Sequence, residues 1–463
     1  MTFRGSLCQL AAAAALAVSA AFPASGESLA DTMVAAYRHS ALIEQNRAVL
    51  RAADEDVASA VAQLRPVVQW ALNHSAQRNE GRTTTRSTSL TLGAEMTLYD
   101  WGRSQLAIDS AKEQVLATRQ ALVGVEQDIL LSATIAYFDI WRATEQVALQ
   151  TNSVEVLTRE RQAAQDRFEV GEITVTDVAL ADASLAATQA ALAAAQGDLE
   201  IAREGYLAAT GRRPGSVAEP PTLPKLPASV DAARAISQKT HPLILQAQRQ
   251  AAAAELGVAS AAAERRPSLS ANAGLGVTRS PDAIGRYDNR LGASVGLELN
   301  QTLYSGGRLP AAHRKAMALR DQARASLLNA ARQVSQQVGE SWANIDVARA
   351  QIRAIDKQIS AAQQAYDGVR EEALLGARTT LDVLDAEQSL LEARADRLSA
   401  QANLQLAHYQ LLAAMGLLTV ERLNLGIPTY DPSQYYNAVR NAPNRSTQGE
   451  SLDRVLRALG KDN

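Results

Sequence analysis

Apolar and polar residues follow two different periods along this chain, and the period changes at defined points. From about Ser28 to Arg65, apolar residues recur every three to four positions, which predicts a helix that Pro66 ends. The segments that follow alternate, with an apolar residue at every second position and small or polar residues between. This alternation predicts four strands, at about 67–78, 87–98, 267–278 and 290–303.

The same order of elements occurs twice. Gly171 returns 205 positions later as Gly376, whereas Pro66 returns after 201 positions as Pro267. The difference of four residues falls between Pro66 and Tyr99, so this region tolerates insertion, as surface loops do. A constant offset over such lengths predicts the duplication of one helix–strand–strand–helix unit. We place the two copies at 27–213 and 230–419.

The predicted strands are about ten residues long, enough to cross a hydrocarbon layer at the tilt of a membrane barrel. An ordinary half-buried antiparallel sheet shows the same alternation and is the alternative. A sheet in lipid cannot leave its edges unpaired, and the smallest closed membrane barrels need about eight strands. Strands that span a membrane would therefore require oligomerisation; two copies would give about eight strands and three about twelve. Aromatic residues at these strands fit either a membrane interface or packing at a helix start: Trp70, Tyr99, Trp101 and Tyr304.

A helix of about 65–70 residues is predicted after each pair of strands, over 101–170 and 307–375. At 1.5 Å per residue each would be roughly 100 Å long, a length that needs a coiled-coil partner. The next helix of each copy carries apolar residues at intervals of seven, which predicts left-handed supercoiling. Gly171 and Gly376 interrupt the long helices, so each copy is predicted to contain a helical hairpin with its turn at the glycine.

Three segments lie outside the two copies. Residues 1–26 have the pattern of a secretory signal, with Arg4 before an apolar run and small residues at its end. The only cysteine, Cys8, lies within this signal, so the cleaved chain would form no disulfide. The proline-rich stretch 214–229 predicts a stiff linker, and 420–463 predicts a partly disordered tail.

Composition and motifs exclude several classes of function. A net charge of −3 gives no indication of nucleic-acid binding. The five histidines lack metal-ligand spacing, and the sequence has no phosphate-binding loop, nucleophile elbow or paired-cysteine motif. We therefore expect neither an enzyme nor a cofactor or metal site. After the signal no apolar run approaches about 18 residues, so we expect no transmembrane helix.

The duplicated plan and the turn motifs resemble those of one known family. The signal, Val170-Gly171 with Thr176-Asp177-Val178, and Gly376-Ala377-Arg378-Thr379 are similar to the TolC-like outer-membrane channels, over about 27–419. The resemblance implies a mainly α-helical chain with a transmembrane β portion. Three chains would form a twelve-stranded β-barrel in the outer membrane of a Gram-negative bacterium, in contact with its lipid. Their coiled-coil hairpins would form an α-barrel tunnel through the periplasm.

The resemblance also implies roles for residues near the hairpin turns. Asp382 and Asp385 match the aspartates that ring the constricted entrance, and their spacing places both on one helix face. Carboxylates from three chains near one axis would raise one another's pKa values and attract cations. The alternative is that both are solvated surface acids. Arg378 matches the arginine of the gate latch.

Partner contacts are implied at the turns themselves. A periplasmic adaptor protein and an inner-membrane ABC or RND-type transporter would dock at this end of the homotrimer. The contact residues implied for the adaptor are Val170, Gly171, Leu375, Gly376 and Thr379. The chain departs from the family pattern at the latch, where Gln162 replaces an acidic residue and Ala373 replaces a tyrosine. Glu160 or Asp166 could take the acidic role.

We therefore expect an outer-membrane exit duct of a tripartite export system that serves type I protein secretion, multidrug efflux or both. The alternative is a structural coiled-coil envelope or stalk protein without channel activity. A stalk does not need four strands of membrane length. A general porin is disfavoured because porins carry many more strands per chain.

Overall fold

The computed structural model describes residues 26–78, 84–281, 286–428, 430–443 and Arg454. The predicted signal up to residue 25 and the predicted tail beyond residue 443, Arg454 apart, lie outside this described part. Helices predominate, and two pairs of strands interrupt them. The helices are α1 (Leu29–His39), α2 (Ala41–Ala62), α3 (Arg103–Glu169), α4 (Val175–Thr210), α5 (Val230–Thr240), α6 (Pro242–Ala263), α7 (Arg308–Leu374), α8 (Thr380–Ala414) and α9 (Pro432–Val439). The strands are β1 (Val67–Arg78), β2 (Thr84–Tyr99), β3 (Ser268–Pro281) and β4 (Tyr287–Asn300).

The described residues divide into two compact units, and each unit takes segments from both copies of the repeat. The first unit lies within Met1–Ser40, Asp128–Leu226 and Glu340–Ala413. The second lies within Ala41–Gln127, Pro227–Gly339 and Ala414–Asn463. The first unit contains both helical hairpin turns, and the second contains the sheet.

The predicted helix from Ser28 to Arg65 is wrong in one respect, because Ser40 divides it into α1 and α2. Ser40 has an extended backbone with ψ 109°, and its N–H closes α1 by donating to the carbonyl of Ala36 at 3.0 Å. His241 occupies the equivalent place in the second copy, with ψ 124°. There the following Pro242 gives a sequence signal for the break, since a residue before proline avoids the helical region. No proline follows Ser40.

The strands form one antiparallel sheet in the order β1-β2-β3-β4, so β1 and β4 lie at its edges among the described residues. Pairing places residues of like character in rows that cross all four strands. One row is Leu72, Leu90, Val277 and Leu291, and another is Trp70, Leu92, Leu275 and Ala293. The row between them holds Ala71, Thr91, Gly276 and Gly292. Because successive side chains point to opposite faces, one face is apolar and the other carries small and polar residues.

The four extra residues of the second copy lengthen its strand pair. The last described pair of the first hairpin is Arg78 with Thr84, and its equivalent in the second is Arg279 with Asn289. Two further pairs follow in the second hairpin, Ser280 with Asp288 and Pro281 with Tyr287. The insertion therefore adds two residues to each strand. The turn segments 79–83 and 282–285 lie outside the described residues.

The strand bounds differ from the prediction by about three residues at four ends. β2 begins at Thr84 instead of 87, because polar residues that carry no apolar signal complete the ladder with β1. β3 runs to Pro281 instead of 278, and β4 spans Tyr287–Asn300 instead of 290–303. The longer end of β3 and the earlier start of β4 belong to the two added pairs, which do not continue the apolar alternation. At its other end β4 stops at Asn300, which pairs with Ser268, the first residue of β3.

Two helices are long and apolar enough to cross a membrane by length and composition. α3 and α4 contain 18-residue windows with mean hydropathy 1.3 and 1.4. We expected no transmembrane helix because the sequence has no unbroken apolar run of sufficient length. That expectation does not hold when hydropathy is averaged over 18-residue windows. α3 has 67 residues and is roughly 100 Å long, about three times the thickness of a hydrocarbon core. A membrane could therefore enclose only a part of it.

Candidate functional site at the hairpin turns

The two helical hairpins turn with the same backbone geometry. Gly171 has φ 80° and donates its N–H to Phe168 at 3.0 Å, and Gly376 has φ 75° and donates to Ala373 at 3.1 Å. The next N–H in each turn reaches back five residues along the chain to a carbonyl of the preceding helix, at 2.9 Å in both hairpins. Left-handed backbone favours glycine, which explains why glycine marks both turns.

Each turn is followed by the same helix cap. The Asp177 carboxylate accepts from the backbone N–H of Thr174 at 2.9 Å and from its hydroxyl at 2.7 Å, and Asp177 donates its own N–H to that hydroxyl. Asp382 makes the same three bonds with Thr379, at 2.9, 2.8 and 3.3 Å. These reciprocal bonds satisfy N–H groups that a helix start leaves without intrahelical partners.

The two aspartates of the predicted entrance have different surroundings. In one chain the Thr379 N–H and hydroxyl hold the pKa of Asp382 below its usual range. This shift is opposite in direction to the one expected from a ring of six carboxylates, because it arises within the cap and involves no second chain. Asp385 lies one turn further along α8 and is exposed. Asp382 is thus both a capping residue and a candidate entrance residue.

The predicted latch arginine has an ion pair that sequence reasoning missed. Arg378 Nε lies 2.8 Å from Glu372 Oε2, across the turn of its own hairpin. The two proposed substitutes lie elsewhere: Glu160 is 3.6 Å from Arg370, and Asp166 accepts a hydrogen bond from Gln162 at 2.8 Å. The turn geometry brings positions 372 and 378 together, and the glycine at 376 is the signal that could have indicated it.

The turns expose large apolar side chains. Val170 is 72% exposed and Leu375 is 85% exposed, and Val175 and Leu374 beside them are also exposed. An isolated helical hairpin in water gains nothing from this arrangement, whereas exposed apolar residues at both turns suit contact with a partner. Among the described residues no cluster of three or more histidine, cysteine, aspartate or glutamate side chains is suited to hold a metal.

Known proteins match nearly the whole chain. The family model described as "Outer membrane efflux protein" matches residues 34–212 and 234–417. The outer membrane efflux protein BepC of Brucella suis is 33% identical over 420 residues, which cover 90% of this chain and 91% of BepC. The outer membrane protein TolC of Escherichia coli is 25% identical over 342 residues, 69% of each chain. The solved structure of CusC has a TM-score of 0.75 at 20% identity and covers 84% of this chain and 92% of CusC.

These matches confirm the resemblance to the TolC-like channels and the combination of long helices with four antiparallel strands. They also agree on location, since the relatives are outer-membrane proteins of Gram-negative bacteria. The chain therefore belongs to the outer membrane efflux protein family, whose members are channels and not enzymes.

Proposed function

We propose that three copies of this outer-membrane efflux channel assemble into the exit duct of a tripartite export system. In this proposal the twelve strands of the trimer close a barrel in the outer membrane, and the helical hairpins line a tunnel in the periplasm. The hairpin turns dock a periplasmic adaptor, which joins the duct to an inner-membrane ABC or RND-type transporter.

The observation that carries the proposal is the sheet, which is incomplete in one chain. Its apolar rows are strongly exposed: Trp70 is 71%, Leu291 is 73% and Val295 is 90% exposed. Its edges, β1 and β4, have no strand beside them among the described residues. Unpaired backbone groups are not tolerated in lipid, and four strands are too few to close a barrel. Further copies that pair β4 of one chain with β1 of the next would satisfy both edges.

The entrance and latch follow from the turn residues. Asp382 and Asp385 from three chains would place about six carboxylates around one axis, which favours cations over anions at the entrance. Arg378 is well placed to hold the second hairpin, because Glu372 already orients its guanidinium at the turn. Val170, Gly171, Leu375, Gly376 and Thr379 form the proposed adaptor surface, of which Val170 and Leu375 supply the apolar area.

Cargo is proposed from the relatives. BepC is named an efflux protein, so small toxic compounds are the first proposed cargo and secreted proteins the second. A deletion strain that becomes sensitive to detergents and dyes, and recovers with the cloned chain, would support efflux. Loss of a secreted protein from the medium with unchanged sensitivity would favour secretion.

Planar-bilayer recording of the detergent-purified protein, with its oligomer mass measured in parallel, tests the duct itself. We expect a trimer with a small, cation-selective conductance. A water-soluble oligomer without conductance would overturn the proposal and favour the structural stalk.

Two variants then test the entrance. Asp382→Asn combined with Asp385→Asn should weaken cation preference and block by divalent cations, and Arg378→Ser should raise the resting conductance. Asp177→Asn is the matched control, since it weakens the same cap in the first hairpin without changing the proposed ring. Unchanged cation block in the double variant would remove the ring assignment, and an unchanged conductance in Arg378→Ser would remove the latch assignment.

A further inference from the structure

A buried carboxyl group lies on α8, away from the turn residues discussed above. Glu387 is only 7% exposed, and its Oε2 atom is buried without a hydrogen-bond partner in the described structure. Burying an unpaired carboxylate is costly, because the charged form loses its hydration and gains nothing in return. We therefore expect such a group either to be neutral or to have a function that offsets the free-energy cost of burying it.

Glu387 borders a small cavity among three helices. The cavity has a volume of about 110 Å³, and Leu149, Asn152 and Ser153 of α3 line one side of it. Gln363 and Tyr366 of α7 and Arg394 of α8 line the rest. The cluster therefore lies where the second hairpin, α7–α8, packs against α3.

The charged groups around Glu387 leave it without a direct partner. On α3, the Glu160 carboxylate carries the same charge and opposes ionisation of Glu387. On α7, Arg370 lies 3.6 Å from Glu160, and Asp367 lies near the Tyr366 ring. On α8, Arg394 donates to Gln363 at 2.7 Å. Burial first, and the Glu160 carboxylate second, raise the pKa of Glu387 to about 7, against the weaker opposing effect of the two arginines.

The first repeat shows that the fold does not require this arrangement. Asp182 occupies the position equivalent to Glu387, and Arg161 occupies the position of Tyr366. Asp182 is 51% exposed and pairs with Arg161 at 2.8 Å. Where the first repeat has an exposed ion pair, the second therefore has a buried, unpaired acid beside a tyrosine.

We propose that Glu387 and Glu160 form a proton-operated contact that packs the second hairpin against α3 when Glu387 is neutral and loosens it when Glu387 is ionised. The proposal concerns the packing of three helices, so it holds whether or not the chain forms a gated duct. Ionisation of Glu387 would place an unpaired charge in a buried position and add to the negative charge of Glu160, while Arg370 and Arg394 are already engaged with Glu160 and Gln363. Movement of α8 away from α3 would admit water to Glu387.

The direction of the pH effect follows from linkage. A carboxyl whose pKa is raised in the packed state contributes stability that is full below its ordinary pKa, and this stability is lost as the pH rises through the raised value. For Glu387 the window runs from the ordinary glutamate pKa of 4.5 to a pKa of about 7. The packed arrangement is therefore favoured in mildly acidic conditions and weakened in mildly alkaline ones.

Hydrogen–deuterium exchange of the detergent-solubilised full-length protein tests the contact, with exchange times scaled for the intrinsic pH dependence. Between about pH 5.5 and about pH 8, local opening of peptides covering 149–160 and 363–394 should increase several-fold, up to about 30-fold. Glu387→Gln should stay protected at both pH values. Glu160→Gln should reduce the difference without removing it.

Asp182→Asn is the matched control and should keep the wild-type response. Equal protection of the wild type at both pH values would overturn the proposal. So would a pH response that persists in Glu387→Gln, since it would belong to another group. A response lost equally in Asp182→Asn and Glu387→Gln would indicate general loosening of the hairpins and would also overturn it. None of these readouts depends on conductance or on an adaptor.

Discussion

The two helical hairpins share the backbone geometry of their turns and caps. They differ in the burial of one acidic residue that follows each cap. Their turns have left-handed glycines with φ 80° and 75°, and their caps have the same three hydrogen bonds. Five residues after the capping aspartate, Asp182 forms an exposed ion pair in the first hairpin, whereas Glu387 is buried and unpaired in the second. Features that the backbone requires have persisted through the duplication, and features that depend on neighbours have diverged.

The largest expected effect concerns the glycines that end the hairpins. Gly211 and Gly416 are equivalent, with φ 75° and 73°, so alanine is strained at both. An alanine Cβ at Gly416 would lie 2.6 Å from the Thr240 carbonyl oxygen and 2.7 Å from the His241 Cα, which are backbone atoms that cannot turn aside. At Gly211 it would overlap the His39 imidazole, which can rotate.

We expect Gly416→Ala to cost roughly 3–5 kcal/mol and Gly211→Ala roughly 1–2 kcal/mol. Thermal unfolding followed by circular dichroism compares the two variants directly. Equal losses would show that the backbone strain dominates and that the neighbouring atoms matter little.

The next effect sharpens the contrast between the buried and exposed acids. Glu387→Gln removes a group that resists ionisation, so it should stabilise the protein at about pH 8 by up to about 2–3 kcal/mol and have little effect at about pH 5. Asp182→Asn should give no such gain at about pH 8, because its acid is exposed and paired and its removal relieves no buried charge. A gain for Glu387→Gln that is the same at both pH values would mean that packing, and not charge, is responsible.

A smaller effect tests whether the caps are equivalent. Thr174→Ala and Thr379→Ala each remove a capping hydroxyl, at a cost of about 1 kcal/mol. The costs should match within about 0.5 kcal/mol, because the lengths of the hydroxyl bonds differ by only 0.1 Å between the two hairpins, 2.7 Å against 2.8 Å. A clearly larger loss for Thr379→Ala in the assembled protein would show that this turn has further contacts in the oligomer.

The smallest effect belongs to the exposed ion pair. Arg161→Ala should change the unfolding free energy by less than about 1 kcal/mol, since both partners are well solvated. Tyr366→Ala at the equivalent position should cost about 3 kcal/mol or more, because Tyr366 packs in the apolar cluster with Ala373, Val383 and Leu390. Similar losses would contradict the view that only the second hairpin buries this position.

The sequence predicted features whose cause is local. Alternation identified the strands, and Gly171 and Gly376 located the turns, because left-handed backbone selects glycine. The division at Ser40 escaped prediction because no proline accompanies it, and α9 escaped because its segment is short. Asp431 caps α9 and Pro432 begins it, so a helix-start signal was present within the segment that we predicted to be a partly disordered tail.

The candidate site also contains features that could be predicted from the sequence and features that could not. The cap role of Asp177 was predictable from its place after the turn, whereas the pairing of Arg378 with Glu372 depends on chain reversal between them. The burial of Glu387 could not be predicted, because an acid within a heptad pattern looks the same whether water or another helix faces it. Tyr366 in place of an arginine was the available hint, and it becomes meaningful only when the cavity is known.

The two additional pairs of the second strand hairpin have an evolutionary consequence. In an antiparallel hairpin, a change in length that keeps the pairing must add residues to both strands together. An even insertion therefore preserves which residues share a face, and an odd one would reverse the faces of one strand relative to its neighbour. The second strand hairpin has four residues more than the first, and the apolar residues still pair in rows across all four strands. Among descendants of this duplication, we expect these strand hairpins to differ in length by even numbers of residues. Each such difference lengthens or shortens the hairpin by whole residue pairs.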